Sequence, residues 1–384
     1  MQIRVMSWNM AGAKLLGKLA GPPAKAAERY VSAYNSVWNN EILPFLASFE
    51  NPPEYPDVIL LQECIGFLRH TKQRSERWQS GEEILRKIFD NYTTFFFPAL
   101  SSYTHPHPAK WEKYRRGQAI GNYLPEDIEA QQGYGVCIRD QSLLRKIWVP
   151  IETDIPEGSD DPKMQSMFHH CFEKTTLTTG AYLGNRDTEP RLAVMGRIIL
   201  PDNSPAGYRY VNFLNTHLTT LKGERTGSIR INQQASATRS IQLNMILNNV
   251  VSAYQEADKY RVRRSTPDRK EDVWIIAGDL NSTAESEEVS LLRRAGFLDG
   301  TPDKKLVDAT GSQFHNQIGT KWSLNNTNLP PTALDHIMCG LERTSFSENG
   351  IDLTGSMRPY RPRFPEGYEE FETDHAVMFS SFEL

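Results

Sequence analysis

The sequence predicts an α/β fold in which two mixed β-sheets pack face to face with helices outside. Three observations lead there. The hydrophobic period switches repeatedly between short β-rich runs and stretches with three- and four-residue spacing. Two neighbouring apolar runs, residues 192–200 and 208–215, flank the turn signal Pro201-Asp202-Asn203-Ser204-Pro205 and predict an antiparallel pair. Finally, four β-like runs end in polar residues. Residues 3–7 precede Asn9, 57–61 precede Gln62 and Glu63, and 210–215 precede Thr216 and His217, while Trp274-Ile275-Ile276-Ala277-Gly278-Asp279-Leu280-Asn281 delivers its own polar end. Strand ends gathered at one rim are where sites are built.

The elements follow in order. After the first strand, residues 25–49 place Ala27, Tyr30, Val31, Tyr34, Val37, Trp38, Ile42 and Phe45 on one helical face, with Pro44 expected to bend or end it. Residues 82–89 give a second helix and 92–97 a strand. Residues 98–132, with His105-Pro106-His107-Pro108 and Trp111-Glu112-Lys113-Tyr114-Arg115-Arg116, look like an inserted loop. Residues 135–138 continue the strands. The longest helical pattern, 226–260, leads through the charged loop 261–272 to the Asp279 strand. A helix over 285–294 follows, with Ser282 or Thr283 as N-cap and Gly296 as its stop. A doubly wound Rossmann domain is the rival architecture. Neither a G-x-G-x-x-G after the first strand nor a G-x-x-x-x-G-K-[ST] supports it.

At 384 residues and 39% hydrophobic, the chain can bury a large core. A prior of about 150 residues per domain suggests two. One domain spanning 1–384 is favoured, because the polar rim draws on both Asn9 and His375. Lys plus Arg number 43 against 47 Asp plus Glu, a net charge of −4, which is not the signature of a protein held to nucleic acid by charge alone. A nuclease stays open, since bound cations and local Arg/Lys clusters also receive phosphates. Four single Cys without a C-x-x-C pair argue against zinc or a disulfide scaffold. The N-terminus enters a strand at once, and no apolar run approaches the ~20 residues of a membrane span. A soluble, cytoplasmic protein is the expectation, unless the sequence is a mature form.

Glu63 with Asn9 offers the hard oxygen ligands that Mg²⁺ or Mn²⁺ prefers. Asp279 and Asn281, two residues apart, can orient a water and hold a phosphate oxygen. Near the C-terminus stand Leu334-Asp335-His336-Ile337 and Thr373-Asp374-His375-Ala376. Asp335 paired with His375 would fix that imidazole's tautomer and raise its basicity, leaving Asp374 to complete a metal site. His336, on the opposite face of its strand from Asp335, is read as structural. His105 and His107 are read as a solvated turn.

Six segments in this order resemble the endonuclease/exonuclease/phosphatase superfamily, which shares the deoxyribonuclease I-like fold. They are Ser7-Trp8-Asn9-Met10, Leu60-Leu61-Gln62-Glu63, Asn215-Thr216-His217-Leu218, Gly278-Asp279-Leu280-Asn281, Leu334-Asp335-His336-Ile337 and Thr373-Asp374-His375. The resemblance implies a four-layer α/β sandwich and hydrolysis of a phosphoester, dependent on Mg²⁺ (or Mn²⁺), by in-line attack of water. By the same resemblance Glu63 is the principal metal ligand, assisted by Asn9 and Asp374. Asp279 orients or deprotonates the water, Asn281 helps to hold the phosphate, His217 faces it, and His375 is the catalytic imidazole oriented by Asp335. Arg191, at the start of the 192–200 strand, is a further phosphate contact.

The substrate is narrowed by departures from subclasses. Ser282-Thr283 and Leu334-Asp335-His336 stand where inositol-polyphosphate 5-phosphatases carry an aromatic with Arg and a Cys-Asp-Arg, and His217 stands where abasic-site endonucleases place Tyr. A nuclease leads, on the basic-aromatic loop (Trp111, Arg115) and the Arg-rich stretches at 261–264 and 358–363, the latter with Arg361. A sphingomyelinase or phospholipase C-type phosphodiesterase acting on a phospholipid headgroup is the alternative. A non-catalytic binding scaffold is a third reading, opposed by the intact Glu63, Asp279 and His375.

Overall fold

The computed structural model describes residues 2–12, 23–48, 55–69, 80–101, 128–139, 172–176, 191–201, 203, 207–221, 224, 228–252, 272–299, 334–341 and 357–383. The described strands are β1 (Gln2–Asn9), β2 (Val58–Arg69), β3 (Thr93–Ser101), β4 (Ile128–Ile138), β5 (Phe172–Thr176), β6 (Leu192–Pro201), β7 (Tyr208–His217), β8 (Val273–Asp279), β9 (Leu298–Asp299), β10 (Asp335–Leu341), β11 (Met357–Tyr360) and β12 (Val377–Glu383). They form two mixed sheets, ordered β11-β12-β1-β2-β4-β3 and β5-β6-β7-β8-β10-β9. Each sheet has a central parallel pair, β1 with β2 and β7 with β8, flanked by antiparallel neighbours. The predicted β6–β7 pair forms, from Ala193 opposite Thr216 to Pro201 opposite Tyr208.

The layers follow from which residues these strands bury. Between the sheets lies an apolar core that includes Ile3, Val5, Val58, Leu60, Val194, Val211, Phe213, Ile275 and Ile337. Strand residues of the other parity face outward, where helices cover them. Helix α1 (Pro23–Val37) and α2 (Gly81–Ile88) bury Tyr30, Tyr34, Ile84 and Leu85 against Trp8, Ile59 and Leu61 of the first sheet. Helix α3 (Ile229–Met245) and α4 (Glu287–Arg294) flank the second sheet, where Leu243, Val289 and Leu292 meet Leu214, Trp274 and Ile276. This is the four-layer α/β sandwich.

Four details differ from the sequence expectation. Pro44 does not end the first helix: a π-helical turn (Trp38–Ile42) precedes it and the chain runs on helically through Leu43–Ala47. The widened turn closes with the Leu43 N–H on the Trp38 carbonyl, an i→i−5 bond, and so makes room for a ring that lacks a donor. The long helix likewise passes into a π-helical segment, Ile246–Val251; residues 253–271 lie outside the described residues. Residues 98–101 and 128–132 belong to β3 and β4: Leu100 and Ser101 pair with Gln132 and Gln131, while residues 128–130 pair with the end of β2; residues 102–127, with Trp111, Arg115, His105 and His107, lie outside the described residues. The α4 N-cap is Ser286, whose hydroxyl accepts the Val289 N–H, rather than Ser282 or Thr283. Among the described residues no helix is long and apolar enough to cross a membrane.

Candidate active site

The two parallel strand pairs bring their C-terminal ends to the same rim. Asn9 closes β1 beside Gln62, and His217 closes β7 beside Asp279, which in turn faces Asp335 at the start of antiparallel β10. His375 precedes β12, the antiparallel neighbour of β1. The chain ends therefore meet here because their strands pair.

Backbone irregularity aims the side chains. The β2–β4 register slips between Leu61 and Cys64, and Glu63 at this bulge has φ +53°. Asn281 has φ +51° and Ala11 φ +49°. Among the described residues these are the three non-glycine positions with positive φ, and all three lie at the rim. Such conformations cost of order 1–3 kcal/mol and concentrate at functional sites. Gly278 has φ +141°, and a Cβ there would sit 1.8 Å from the Thr216 carbonyl oxygen, so β8 can lie this close to β7 only with glycine at that position.

Asp279 is the hub. Its Oδ1 accepts the Asn281 N–H at 2.9 Å, a tight turn that ends the strand, and Asn281 Nδ2 donates to the Leu218 carbonyl at 2.9 Å. Its Oδ2 receives Asn9 Nδ2 at 3.1 Å and lies 3.4 Å from His217 Nε2 and 3.6 Å from His375 Nε2. On its other side His375 points Nδ1 at Asp335, 2.9 Å from Oδ2 and 3.1 Å from Oδ1. His217 Nδ1 is 2.8 Å from an Arg191 guanidinium nitrogen and 3.7 Å from Glu63 Oε1. Asp374 Oδ1 lies 3.9 Å from His375 Nε2. Asn9 Oδ1 accepts the Ala11 N–H at 2.9 Å, and its Nδ2 also reaches Glu63 Oε1 at 3.5 Å.

Supporting contacts fix these positions. Thr373 Oγ1 donates to the Asn9 carbonyl and accepts the His375 N–H. Tyr34 on α1 donates to the Met10 carbonyl at 2.6 Å and reaches the Phe371 carbonyl at 3.3 Å, joining the two chain ends from below. Gln62 and Asn215 bridge the sheets: Gln62 Nε2 donates to Asn215 Oδ1 at 2.8 Å, and Asn215 Nδ2 to the Leu61 and Gly135 carbonyls. Sequence reasoning assigned no role to Tyr34, Asn215 or Thr373; the latter two stand inside motifs it recognised, whereas Tyr34 gave no signal beyond a helical spacing. His336 Nε2 lies 2.8 Å from the Ser282 carbonyl. Arg361 forms an exposed pair with Glu372 at 3.2 Å.

Burial pushes the Cys64 thiol well above its ordinary value, so the sulfur beside Glu63 stays protonated and offers no thiolate nucleophile. Side-chain exposure sorts the remaining groups. Asp279, Asp335, His375 and His217 are 1–4% exposed, while Glu63 is 16% and Asp374 10% exposed. The carboxylates assigned to a metal from the sequence thus stand outermost, flanking two imidazoles. Asp279, Asp335 and His375 also cluster tightly enough to hold an ion, but the Asp335–His375 hydrogen bond already satisfies two of the three.

The family model "Endonuclease/Exonuclease/phosphatase family" matches residues 184–356. Over this stretch, less than half of its length, the chain is similar to the family. Its members are phosphoesterase hydrolases that depend on a divalent metal. No curated protein sequence matches this chain. Similar solved structures include D. rerio TDP2 complexed with single strand DNA product (15% identity, TM-score 0.44, covering 100% of this chain and 99% of that one). A family protein from Bacteroides thetaiotaomicron is similar at 11% identity and TM-score 0.46, covering 100% and 95% of the two chains. The human Nocturnin catalytic domain with bound sulfate anion is similar at 14% identity and TM-score 0.44, covering 100% and 94%.

Proposed function

We propose that this rim hydrolyses phosphodiesters, with a nucleic acid as substrate. The observation that carries the reading is the convergence on Asp279 of Asn9, His217, His375 and Asn281, drawn from both sheets and both chain ends. Hard carboxylate oxygens at the more exposed edge suit Mg²⁺ or Mn²⁺. Glu63 and Asp374 would hold the cation, with Asn9 offering the second lone pair of an oxygen that already accepts one N–H. A divalent cation there would offset charge on the phosphoryl oxygens.

The remaining work falls to the chain's own groups. Asp279, held by the Asn281 and Asn9 donors, orients water and accepts its proton as the new P–O bond forms. His217 and His375, beside the same carboxylate oxygen, face the phosphoryl oxygens as charge develops. Asp335 keeps His375 turned inward and supports positive charge on it. The ester P–O bond breaks and the proton ends on the departing oxygen. Asn281 contributes through its backbone N–H and by tying the β7 and β8 loops, since its amide donates to Leu218. The choice of polymer rests on the basic stretches of the sequence; among these, residues 111–116 and 261–264 lie outside the described residues.

The test is hydrolysis, with Mg²⁺ and with Mn²⁺, of single- and double-stranded DNA, RNA, sphingomyelin and bis(p-nitrophenyl) phosphate. Asp279→Asn runs beside the wild type and should lose at least about 10²-fold in rate without loss of melting temperature. Nucleic-acid cleavage lost in the variant supports the nuclease. Lipid cleavage alone would favour the headgroup phosphodiesterase, and silence across the panel would defeat both. Glu63→Gln should raise the metal concentration for half-maximal activity by about tenfold or more; an unchanged titration removes Glu63 from the ligand set.

A further inference from the structure

We infer that Arg191 is a positioning residue that locks His217 in the tautomer opposite to that of His375, giving two equivalent-looking imidazoles different chemistry. The inference rests on the phosphodiesterase reading of the site. His217 Nδ1 lies 2.8 Å from an Arg191 nitrogen, and both residues are buried, 3% and 4% exposed. A guanidinium has only donors and does not lose its proton in proteins, so the imidazole nitrogen facing it must supply a lone pair. The competing partner of Nδ1, Glu63 Oε1, would demand the reverse arrangement, but at 3.7 Å it is beyond hydrogen-bond length. The proton of His217 therefore sits on Nε2, which faces Asp279 at 3.4 Å.

His375 meets the opposite kind of partner. Its Nδ1 faces the Asp335 carboxylate, which only accepts, so Nδ1 carries the proton. Both rings turn Nε2 toward the same Asp279 oxygen. His217 thus brings an N–H donor to the space before Asp279, whereas the Nε2 of His375 is the one able to exchange a proton. Sequence adjacency explains the arrangement: Arg191 immediately precedes β6, whose Leu192 and Ala193 run antiparallel beside His217 and Thr216. Arg191 acts here on an imidazole rather than directly on phosphate.

The experiment is ¹⁵N-histidine NMR of the metal-free protein, with steady-state kinetics of the loaded enzyme on its best panel substrate, for wild type, Arg191→Met and Arg191→Lys. In the wild type, His217 should show an unprotonated Nδ1 and a protonated Nε2, and His375 a protonated Nδ1. Arg191→Met should mix the His217 tautomers and lower kcat by about tenfold or more with KM little changed. Arg191→Lys, still a pure donor, should restore both. A protonated Nδ1 on His217 in the wild type, or a tautomer unmoved by Arg191→Met, overturns the inference. So does a rise in KM at constant kcat, which would make Arg191 a substrate contact. If Arg191→Met does not fold, a mixed tautomer in folded Arg191→Lys overturns it. Absence of hydrolysis by the wild type would defeat the proposed function alone, because the NMR result stands without turnover.

Discussion

Behind the first sheet, α1 meets the strands with aromatic rings. The Tyr30 and Tyr34 rings lie tilted with centroids 4.4 Å apart, Trp8 lies 5.1 Å from Tyr34, and Trp38 packs edge-on against Phe89. Behind the second sheet, α3 places a buried guanidinium instead. Arg239 bonds Glu288 on α4 at 2.9 Å and Glu224 at 2.7 Å, with a further bond to the Thr219 carbonyl, while Gln242 holds both the N–H and the hydroxyl of Thr219. Both layers end at the rim: Tyr34 holds the backbone after Asn9, and the Arg239 network holds the chain just beyond His217. Apolar packing is non-directional and forgives small shifts, whereas a buried ion network fixes position but fails when one member is lost.

Substitutions can break this contrast in order of size. Arg239→Met should cost about 3–5 kcal/mol, because it strands two buried carboxylates, Glu224 and Glu288; urea unfolding measures it, and a loss under about 1 kcal/mol would mean the network is not held by charge. Between the layers, Asn215→Ala removes the donor that Leu61 and Gly135 share and should cost about 2–3 kcal/mol. It should also lower activity, because the bridge binds the Glu63 strand to the His217 strand. Tyr34→Phe keeps the ring and loses only the hydroxyl, so about 1 kcal/mol is expected, with a fall in kcat that reports the freed Met10 carbonyl just after Asn9. Equal losses for Tyr34→Phe and Arg239→Met would erase the distinction.

Alkaline pH separates the layers without substitution. Burial, followed by the neighbouring phenol for Tyr30 and by Cys64 for Tyr34, holds both phenols well above the ordinary tyrosine value. Ionisation therefore favours the unfolded chain: the stability they confer is fully present below about pH 10 and is lost as pH rises beyond it. Melting temperature followed from pH 8 to 11 should fall in the wild type and fall less steeply in Tyr34→Phe. Parallel curves would show that the phenols do not carry the alkaline limb.

Much of the rim was legible because the relevant signals are local. Apolar runs ending in Asn9, Glu63, His217 and Asp279 announce strands whose parallel pairing must bring their ends together, and the Asp335 and His375 motifs carry their chemistry in adjacent residues. The Gly296 stop of α4 was similarly readable, but the α4 cap fell at Ser286 because several nearby Ser and Thr residues offered the same chemistry. Pro44 does not end its helix for a physical reason: the sequence states that a donor is missing but not that a widened turn can absorb the loss.

What the sequence by itself determined is the inventory and its order: alternating strands and helices, a rim of carboxylates, amides and imidazoles, and the resemblance they carry. Tertiary structure decided which partner each group received. Arg191 faces an imidazole, Asn215 crosses between sheets, and Asn9 turns its Nδ2 toward Asp279 while its oxygen takes the Ala11 N–H. These are long-range hydrogen bonds, set by sheet register and a bulge at Glu63. Register is a collective property of paired strands, and no single segment encodes it.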